Sequence, residues 1–414
     1  MGKIALCNIN CIDIEKASYA FNQTIEIEGE FITDVYDTKA HLPNECEVQY
    51  DYGGCWAIPG LVDMHLHITM SHCMSEPDYY VTPNEIVEIA YENLRGLRRV
   101  GVTVCRDMGS YAHSAEWIKY ILRNESSLPY ILTCGDVITY PKGHMYEFGR
   151  EIENVKDVDM AIDLNSNLKA DFIKVASDPL DNEAKHRVPN PAFNTDMLQH
   201  IAEYGKKKKM FMACHTYPSK TGVMRALHGG ARTIEHAVPF DDDMGRKRYP
   251  KTFYVPTFST ALDVCGMSKL EQFNVVKDNN VWDLVKDIMS KNPVYFNEVP
   301  DSIDEWFQIL INMLPDAIKT GQLLCIGSDA GCKGTDFSTV LREIFLMCVL
   351  GATNQQALTY ATVNPYKALG YNTRGKIVKG NIADIVILNK NPLKDISTLL
   401  KNEAVICKGQ LISK

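Results

Sequence analysis

Two histidines one residue apart close the stretch Ala57-Ile58-Pro59-Gly60-Leu61-Val62-Asp63-Met64-His65-Leu66-His67. If the apolar run ahead of them is a strand, side chains two apart leave the same face. The imidazoles of His65 and His67 then converge on one point, an arrangement that suits zinc and similar transition metals. An isolated His-x-His is equally well explained by a half-buried strand whose rings satisfy local hydrogen bonds. What favours a metal is the supply of further ligand types downstream, each near the end of its own predicted strand: Lys174, His215, His236 and Asp329. Four of the chain's eleven histidines thus fall at equivalent positions, together with an aspartate.

The elements that must position these residues can be read from the pattern. After the His-x-His strand come Val102–Asp107, Tyr130–Cys134, Asp171–Val175, Met210–His215, Arg232–His236, Thr252–Pro256 and Leu323–Asp329, short β-branched runs separated by amphipathic stretches. That alternation predicts a parallel α/β sheet or barrel, and eight strand–helix units predict a (β/α)8 TIM barrel. Barrel enzymes carry their catalytic groups at the C-terminal ends of the strands, where these ligand types fall. Residues 83–99 show one apolar helical face (Ile86, Val87, Ile89, Ala90, Leu94, Leu97). Residues 260–320 are helix-rich and read as the seventh crossover, with an enlarged loop over the barrel mouth. Alternating segments at both ends, Ile25–Val35, Ile382–Leu388 and Ala404–Ile412, are each too short to bury a face alone. They are expected to pair as a small composite β-sandwich built from both termini. The expected division is 1–58 and 369–414 for the two sandwich halves and 59–368 for the barrel.

Composition removes several function classes. A chain of 414 residues with a formal charge of −9 has no basic footprint for nucleic acid. No run approaches the ~18 apolar residues a membrane span needs. Thirteen cysteines, an odd number without a Cys-x-x-Cys pair, read as free and mostly buried thiols of a reducing compartment. The first residues show neither an apolar signal region nor a myristoylation pattern. A soluble cytoplasmic protein is the expectation.

The segments AIPGLVDMHLH, GVTVCRDMGS, ADFIKVAS, MACHTY, GARTIEHA, GSDAG and ATVNPYKALG…GKIVKGNIADIVILNKNPL carry a resemblance nearly end to end. The chain resembles the amidohydrolase superfamily, in the branch of imidazolonepropionase-related, prolidase-like Xaa-Pro and Xaa-Arg/Lys dipeptidases. By position, the resemblance implies that His65 and His67 bind a buried metal and that His215 and His236 bind another. It implies that Lys174, carboxylated by CO2 to a carbamate, bridges the two, and that Asp329 is both ligand and proton shuttle. It further implies two divalent cations, zinc being the expected pair, a dipeptide or other small-molecule substrate, and a homo-oligomer. The chemistry is sound on its own terms. An amine is a poor ligand beside dications, whereas a carbamate is an anion with two oxygens. Paired dications acidify bound water, and an adjacent carboxylate can take its proton and pass it to a departing amine.

Two positions are assigned to substrate binding. Tyr217, two after His215, points into the same mouth by alternation, and relatives carry Tyr there; a loop aromatic is the competing reading. His144 follows strand 3 where relatives often have Gly-Gly-His, although Pro141 and Lys142 depart from that pattern. Ala176-Ser177-Asp178-Pro179 likewise stands where relatives show Ser-Gly-Gly, which bears on dipeptide specificity more than on metal chemistry. Arg106, His72, His113, Arg187 and His228 have no spacing argument and read as structural or solvated. Cys73, Cys214 and Cys332 read as core packing. The expected function is a binuclear metal-dependent hydrolase cleaving an amide bond in a dipeptide or N-acyl amino acid. The alternatives are a cyclic-amide hydrolase or deaminase of the imidazolonepropionase type, and a catalytically silent scaffold on the same fold.

Overall fold

Alternation around Gly29, which takes φ +59°, makes the second hairpin, joining Ser18–Glu28 to Phe31–Asp37. A computed structural model describes the chain except residues 1, 44–45, 71–81, 179–192, 217–218, 242, 267, 269–270, 273–279, 292–300, 333–334 and 414. Strands β1 (Ile4–Asp13), β2 (Ser18–Glu28) and β3 (Phe31–Asp37) form an antiparallel meander. The first half of β1 then pairs in parallel with β4 (Val48–Asp51) and its second half with β5 (Trp56–Pro59).

One residue past Pro59 the chain enters the α/β region through β6 (Leu61–Leu66), β7 (Val102–Asp107) and β8 (Tyr130–Leu132), a parallel three-stranded sheet. The helix between β6 and β7 is the one expected, Pro83–Arg99. It is opened by a Thr82–Glu85 capping box and buries Ile86, Ala90, Leu94 and Leu97. A second parallel sheet holds β9 (Val137–Thr139), β10 (Gly149–Glu151), β11 (Ile173–Ala176), β12 (Met212–His215), β13 (Thr233–Glu235) and β14 (Phe253–Val255), in the order β10-β9-β11-β12-β13-β14. The short strands β9 and β10 were not legible in the pattern.

The strand ladders therefore fall into two sheets, not one closed eight-stranded ring. The expected eighth strand, 323–329, makes only isolated parallel bridges, Tyr254 to Leu324 and Leu66 to Ala330. It still spans the interval between β14 and β6, with Cys325 N–H donating to Tyr254 O (2.8 Å) and Met64 N–H to Ile326 O (3.0 Å). The physical reason is local: Asp329 takes φ +56°, outside the extended region, so a regular ladder cannot run through it. On the other side the link is one backbone bond, Asp171 N–H to Thr133 O (2.8 Å).

The chain ends in β15 (Ile385–Leu388), β16 (Asn402–Cys407) and β17 (Gln410–Ser413), which join the N-terminal strands. The two-layer sandwich expected from the termini is instead one eight-stranded sheet, β17-β16-β15-β5-β1-β2-β3 with β4 on β1. It curls, because Ile32 N–H donates to Asn381 O and Ala383 N–H to Glu30 O, tying β3 back to the chain entering β15. Leu6, Ile25, Ile32, Ile385 and Ile406 from both halves thereby share one apolar cluster.

Candidate metal centre

Two apolar clusters fix which strand faces look inward. Val62, Met64, Val104, Phe172, Ala213, Phe253, Val255 and Cys325 pack together between the strands. Leu61, Leu66, Ile173, Val175, Met212, Cys214, Ile234 and Tyr254 pack against the helices. Lys174 would share the inner face with Phe172 and Ala176 by alternation, and His215 follows Cys214, which faces the helices as expected. The pairing of β6 with β7 is irregular between Asp63 and Leu66, a bulge of the kind that re-aims side chains. Met64 stays inside and Leu66 turns out, so His65 and His67 flank an outward residue.

His65, His67 and Asp329 form a group whose ligand atoms lie within 4.8 Å of one another, all three buried. Asp329 Oδ1 is 3.3 Å from His65 Nε2 and 3.5 Å from His67 Nε2. Those separations are what tetrahedral ligands about 2.0–2.1 Å from a common zinc would show. The other ring nitrogens are committed elsewhere. His65 Nδ1–H donates to Glu235 Oε2 (2.9 Å) and His67 Nδ1–H to Gly109 O (2.7 Å), which fixes both tautomers and turns Nε2 toward Asp329.

The remaining ligand types converge on the same place. The His236 ring lies 4.5 Å from that of His65 and 4.6 Å from that of His215, and the His144 ring lies 4.3 Å from His215. Lys174 is fully buried; its charge lowers the pKa of His65, His144, His215 and His236. Among the described residues, Lys174 Nζ and both ring nitrogens of His215 have no hydrogen-bond partner. Buried polar atoms are almost always satisfied, so these are groups waiting for one. Tyr217, the second expected substrate contact, lies outside the described residues, as do His72, Cys73 and Arg187.

Burial sets the protonation states. It lowers the Lys174 ammonium from its ordinary range and pushes His236 and His144 down to about 3. Burial also holds His65 and His215 well below the usual imidazole range, so these rings are neutral, the form that binds metal. Burial alone would raise the Asp329 carboxyl, but His65, His67 and His236 reverse this and hold it below the usual carboxylate range. His67 is raised: burial lowers it, and its bond to Asp329 overrides that. A proton and a divalent cation compete for the same space between His67 and Asp329.

Backbone geometry holds the rim. His236 (φ +62°) and Asp329 (φ +56°) both adopt the left-handed region that non-glycine residues avoid. Each is anchored by its own amide, His236 N–H to Val255 O (2.8 Å) and Asp329 N–H to His65 O (2.7 Å). Asp63 accepts from Ser328 N–H (3.0 Å) and Ser328 Oγ–H (2.6 Å), clamping the Asp329 turn to β6; burial raises its carboxyl to about 6.

Several of these partners were missed in the sequence. Arg106, taken as structural or solvated without a spacing argument, lies fully buried beneath the site. It donates to Met64 O (2.6 Å), Thr233 Oγ1 (2.9 Å) and Glu235 Oε1 (2.7 Å). Glu235 could have been found from alternation, since it shares the inner face of β13 with Thr233. Trp306, on the helix Asp301–Lys319 of the long crossover, stands 5.5 Å from His236 at 86°. Nothing in the local pattern distinguishes it from a core tryptophan. Cys332, expected in the core, instead has Sγ 3.5 Å from Asp329 Oδ1.

A sequence profile of the amidohydrolase family matches residues 56–412. The chain belongs to that family. Among amidohydrolases it is similar to ochratoxinase of Aspergillus niger, 26% identical over 270 residues, 63% of this chain and 50% of the relative. The chain thus spans about half the length of that curated relative in the match. The ochratoxinase crystal structure superposes with a TM-score of 0.78 at 18% identity, covering 100% of this chain and 96% of that one. A Xaa-Pro dipeptidase with methionine bound in its active site gives 0.80 at 20% identity, with full coverage of both chains. A prolidase complexed with N-methylphosphonate-L-proline gives 0.77 at 21%, again with full coverage of both. At these identities the structural likeness establishes the amidohydrolase fold.

Proposed function

We propose that this amidohydrolase is a binuclear metal-dependent enzyme that cleaves an amide bond in a dipeptide or an N-acyl amino acid. The observation that carries the reading is the buried Lys174 Nζ and His215 ring, without a hydrogen-bond partner among the described residues, beside the His65–His67–Asp329 group. These residues fit two cations. His65, His67 and Asp329 would hold one, His215 and His236 the other, and Lys174 would serve both. Burial lowers the Lys174 ammonium from its ordinary range and so favours the amine, which could form a C–N bond to CO2 with loss of one proton; the carbamate would offer oxygens to both cations. Imidazole and carboxylate donors suit zinc, though manganese, cobalt or iron fill similar sets. When bound, the pair would supply Lewis acidity at the scissile carbonyl and acidify a water.

The protein's own groups do the rest. Asp329 is placed to take a proton beside His65 and His67 and to return it to the amine that leaves. Glu235 and Gly109 O keep two imidazoles in the ligating tautomer. His144, neutral and against His215, is a hydrogen-bonding group for a substrate carbonyl or carboxylate, and Tyr217 is retained as a substrate contact on its position after β12. Family membership together with the bridging of β14 to β6 through 323–330 supports a (β/α)8-type arrangement over residues 59–368, its ladder interrupted at the eighth strand, flanked by 1–58 and 369–414. The amino-acid and proline-containing ligands named for the structural neighbours support a substrate of dipeptide size.

The test is amino-acid release by zinc-loaded protein from Xaa-Xaa dipeptides and N-acyl amino acids, abolished by a chelator. Turnover confined to cyclic amides or amino-heterocycles would replace this reading with the imidazolonepropionase type. Protein that takes up no stoichiometric metal would be a scaffold.

A further inference from the structure

The geometry points to a second ligand site at the opposite end of the strands, for a small phosphorylated molecule that carries a ring. A cavity of about 420 Å³ opens where β12, β13 and β14 begin, bordered by Met212, Arg232 and Thr252. The metal-ligand types stand at the other ends of those strands, some 10 Å away at strand rise. Four cationic side chains line it, Lys206, Arg232, Arg248 and Lys251, and among the described residues no carboxylate does.

None of the four forms an ion pair among the described residues, although the chain as a whole carries nine more acidic than basic side chains. Arg232 is fixed by Nε–H to Ala368 O (3.0 Å) and an Nη2 donor to Lys367 O (2.9 Å), which leaves Nη1 without a bonded partner among the described residues. The four come from three places in the chain: Lys206 from a helix end, Arg232 from the turn into β13, and Arg248 and Lys251 from the segment before β14. Complementing the C-terminus of helix Thr195–Lys207 accounts for Lys206 alone. Holding like charges around one concavity is unfavourable until an anion enters. A single carboxylate is outnumbered, whereas a phosphate ester brings several negative charges and the oxygens that arginine forks bind in pairs.

The walls add an organic component. Phe211, stacked on Phe172 (5.5 Å, 11°), and Tyr249, half-buried with the Arg248 guanidinium 6.0 Å from its ring centre, give the cavity aromatic sides. A nucleoside diphosphate has both halves.

The experiment is calorimetric titration of metal-loaded protein with ADP, pyrophosphate and adenosine, repeated on the Arg248→Ala/Lys251→Ala variant, whose two positions are exposed. Expected are saturable ADP binding, weaker binding of pyrophosphate and adenosine, and about a tenfold or greater loss of ADP affinity in the variant. Thermal unfolding of the variant should match wild type. No saturation by any probe up to about 10 mM overturns the site. ADP binding unchanged in the variant also overturns it and places the anion at the metals. Adenosine as tight as ADP overturns the anionic half, and pyrophosphate as tight as ADP overturns the ring.

Discussion

His65 Nδ1 lies 2.9 Å from Glu235 Oε2, joining residues 170 apart in sequence. The other carboxylate oxygen takes Arg106 (2.7 Å) and Thr233 (2.5 Å), so one buried acid orients a metal-ligand imidazole and neutralises a buried guanidinium. Glu235→Gln keeps the shape but sets an amide against Arg106. Zinc affinity by chelator competition is expected to fall about 10–100-fold. The double variant Arg106→Met/Glu235→Gln, which removes the stranded cation, should unfold at a higher temperature than Glu235→Gln alone. Unchanged zinc affinity in Glu235→Gln would leave the His65 contact without a role in holding metal.

Lys174 Nζ has no hydrogen-bond partner among the described residues, and its removal should be read in metal content. Lys174→Ala is expected to drop bound metal from two toward about one per chain by elemental analysis, with activity partly restored by added short carboxylic acids that replace a carbamate. Retention of two metals by the unaided variant would rule out a bridging role.

The ligand-type residues were legible because strand ends and residue chemistry are both local: His65, His67, His215 and His236 each close a β-rich run. The helix Pro83–Arg99 was legible for the same reason, since its apolar face repeats within the segment itself. What was not legible depends on contacts distant in sequence. Arg106 shows its role only when its side chain, from β7 of one sheet, meets Thr233 and Glu235 on β13 of the other. The eighth strand looked regular because Leu323–Asp329 has strand composition, yet the left-handed backbone at Asp329 interrupts the ladder. The terminal segments were read correctly as mutually dependent, but whether they stack as two layers or continue as one sheet is decided by the split pairing of β1 with β4 and β5.

Asp329 separates binding from turnover. Asp329→Asn preserves an oxygen donor toward His65 and His67 but cannot accept a proton as a carboxylate does. Metal content should stay near wild type while kcat falls about 10²–10⁴-fold, the range of a lost general base. Near-normal kcat with full metal occupancy would exclude the proton-transfer role.

Gly327 tests whether the rim tolerates any displacement. A Cβ there would sit 2.4 Å from Val255 Cγ1 and 2.8 Å from His65 Cβ, both on fixed inner-face positions rather than at the ends of flexible side chains. Gly327→Ala must therefore push β6 away from the Asp329 turn, against the clamp of Asp63 on Ser328 (2.6 Å). Overpacking of this kind costs about 1–3 kcal/mol, seen as a lower denaturation midpoint at unchanged m-value. Because the displaced atom belongs to His65, zinc affinity should fall in the same variant. Gly96→Ala is the control, since its Cβ would meet only Phe337 Cβ at 3.8 Å; inside the helix Pro83–Arg99 it should raise stability by about 0.5–1 kcal/mol, seen as a higher midpoint, and leave zinc affinity unchanged. A Gly327→Ala protein as stable and as zinc-avid as wild type would show that His65 is free to move and that the close packing of this rim does not hold the metal ligands in place.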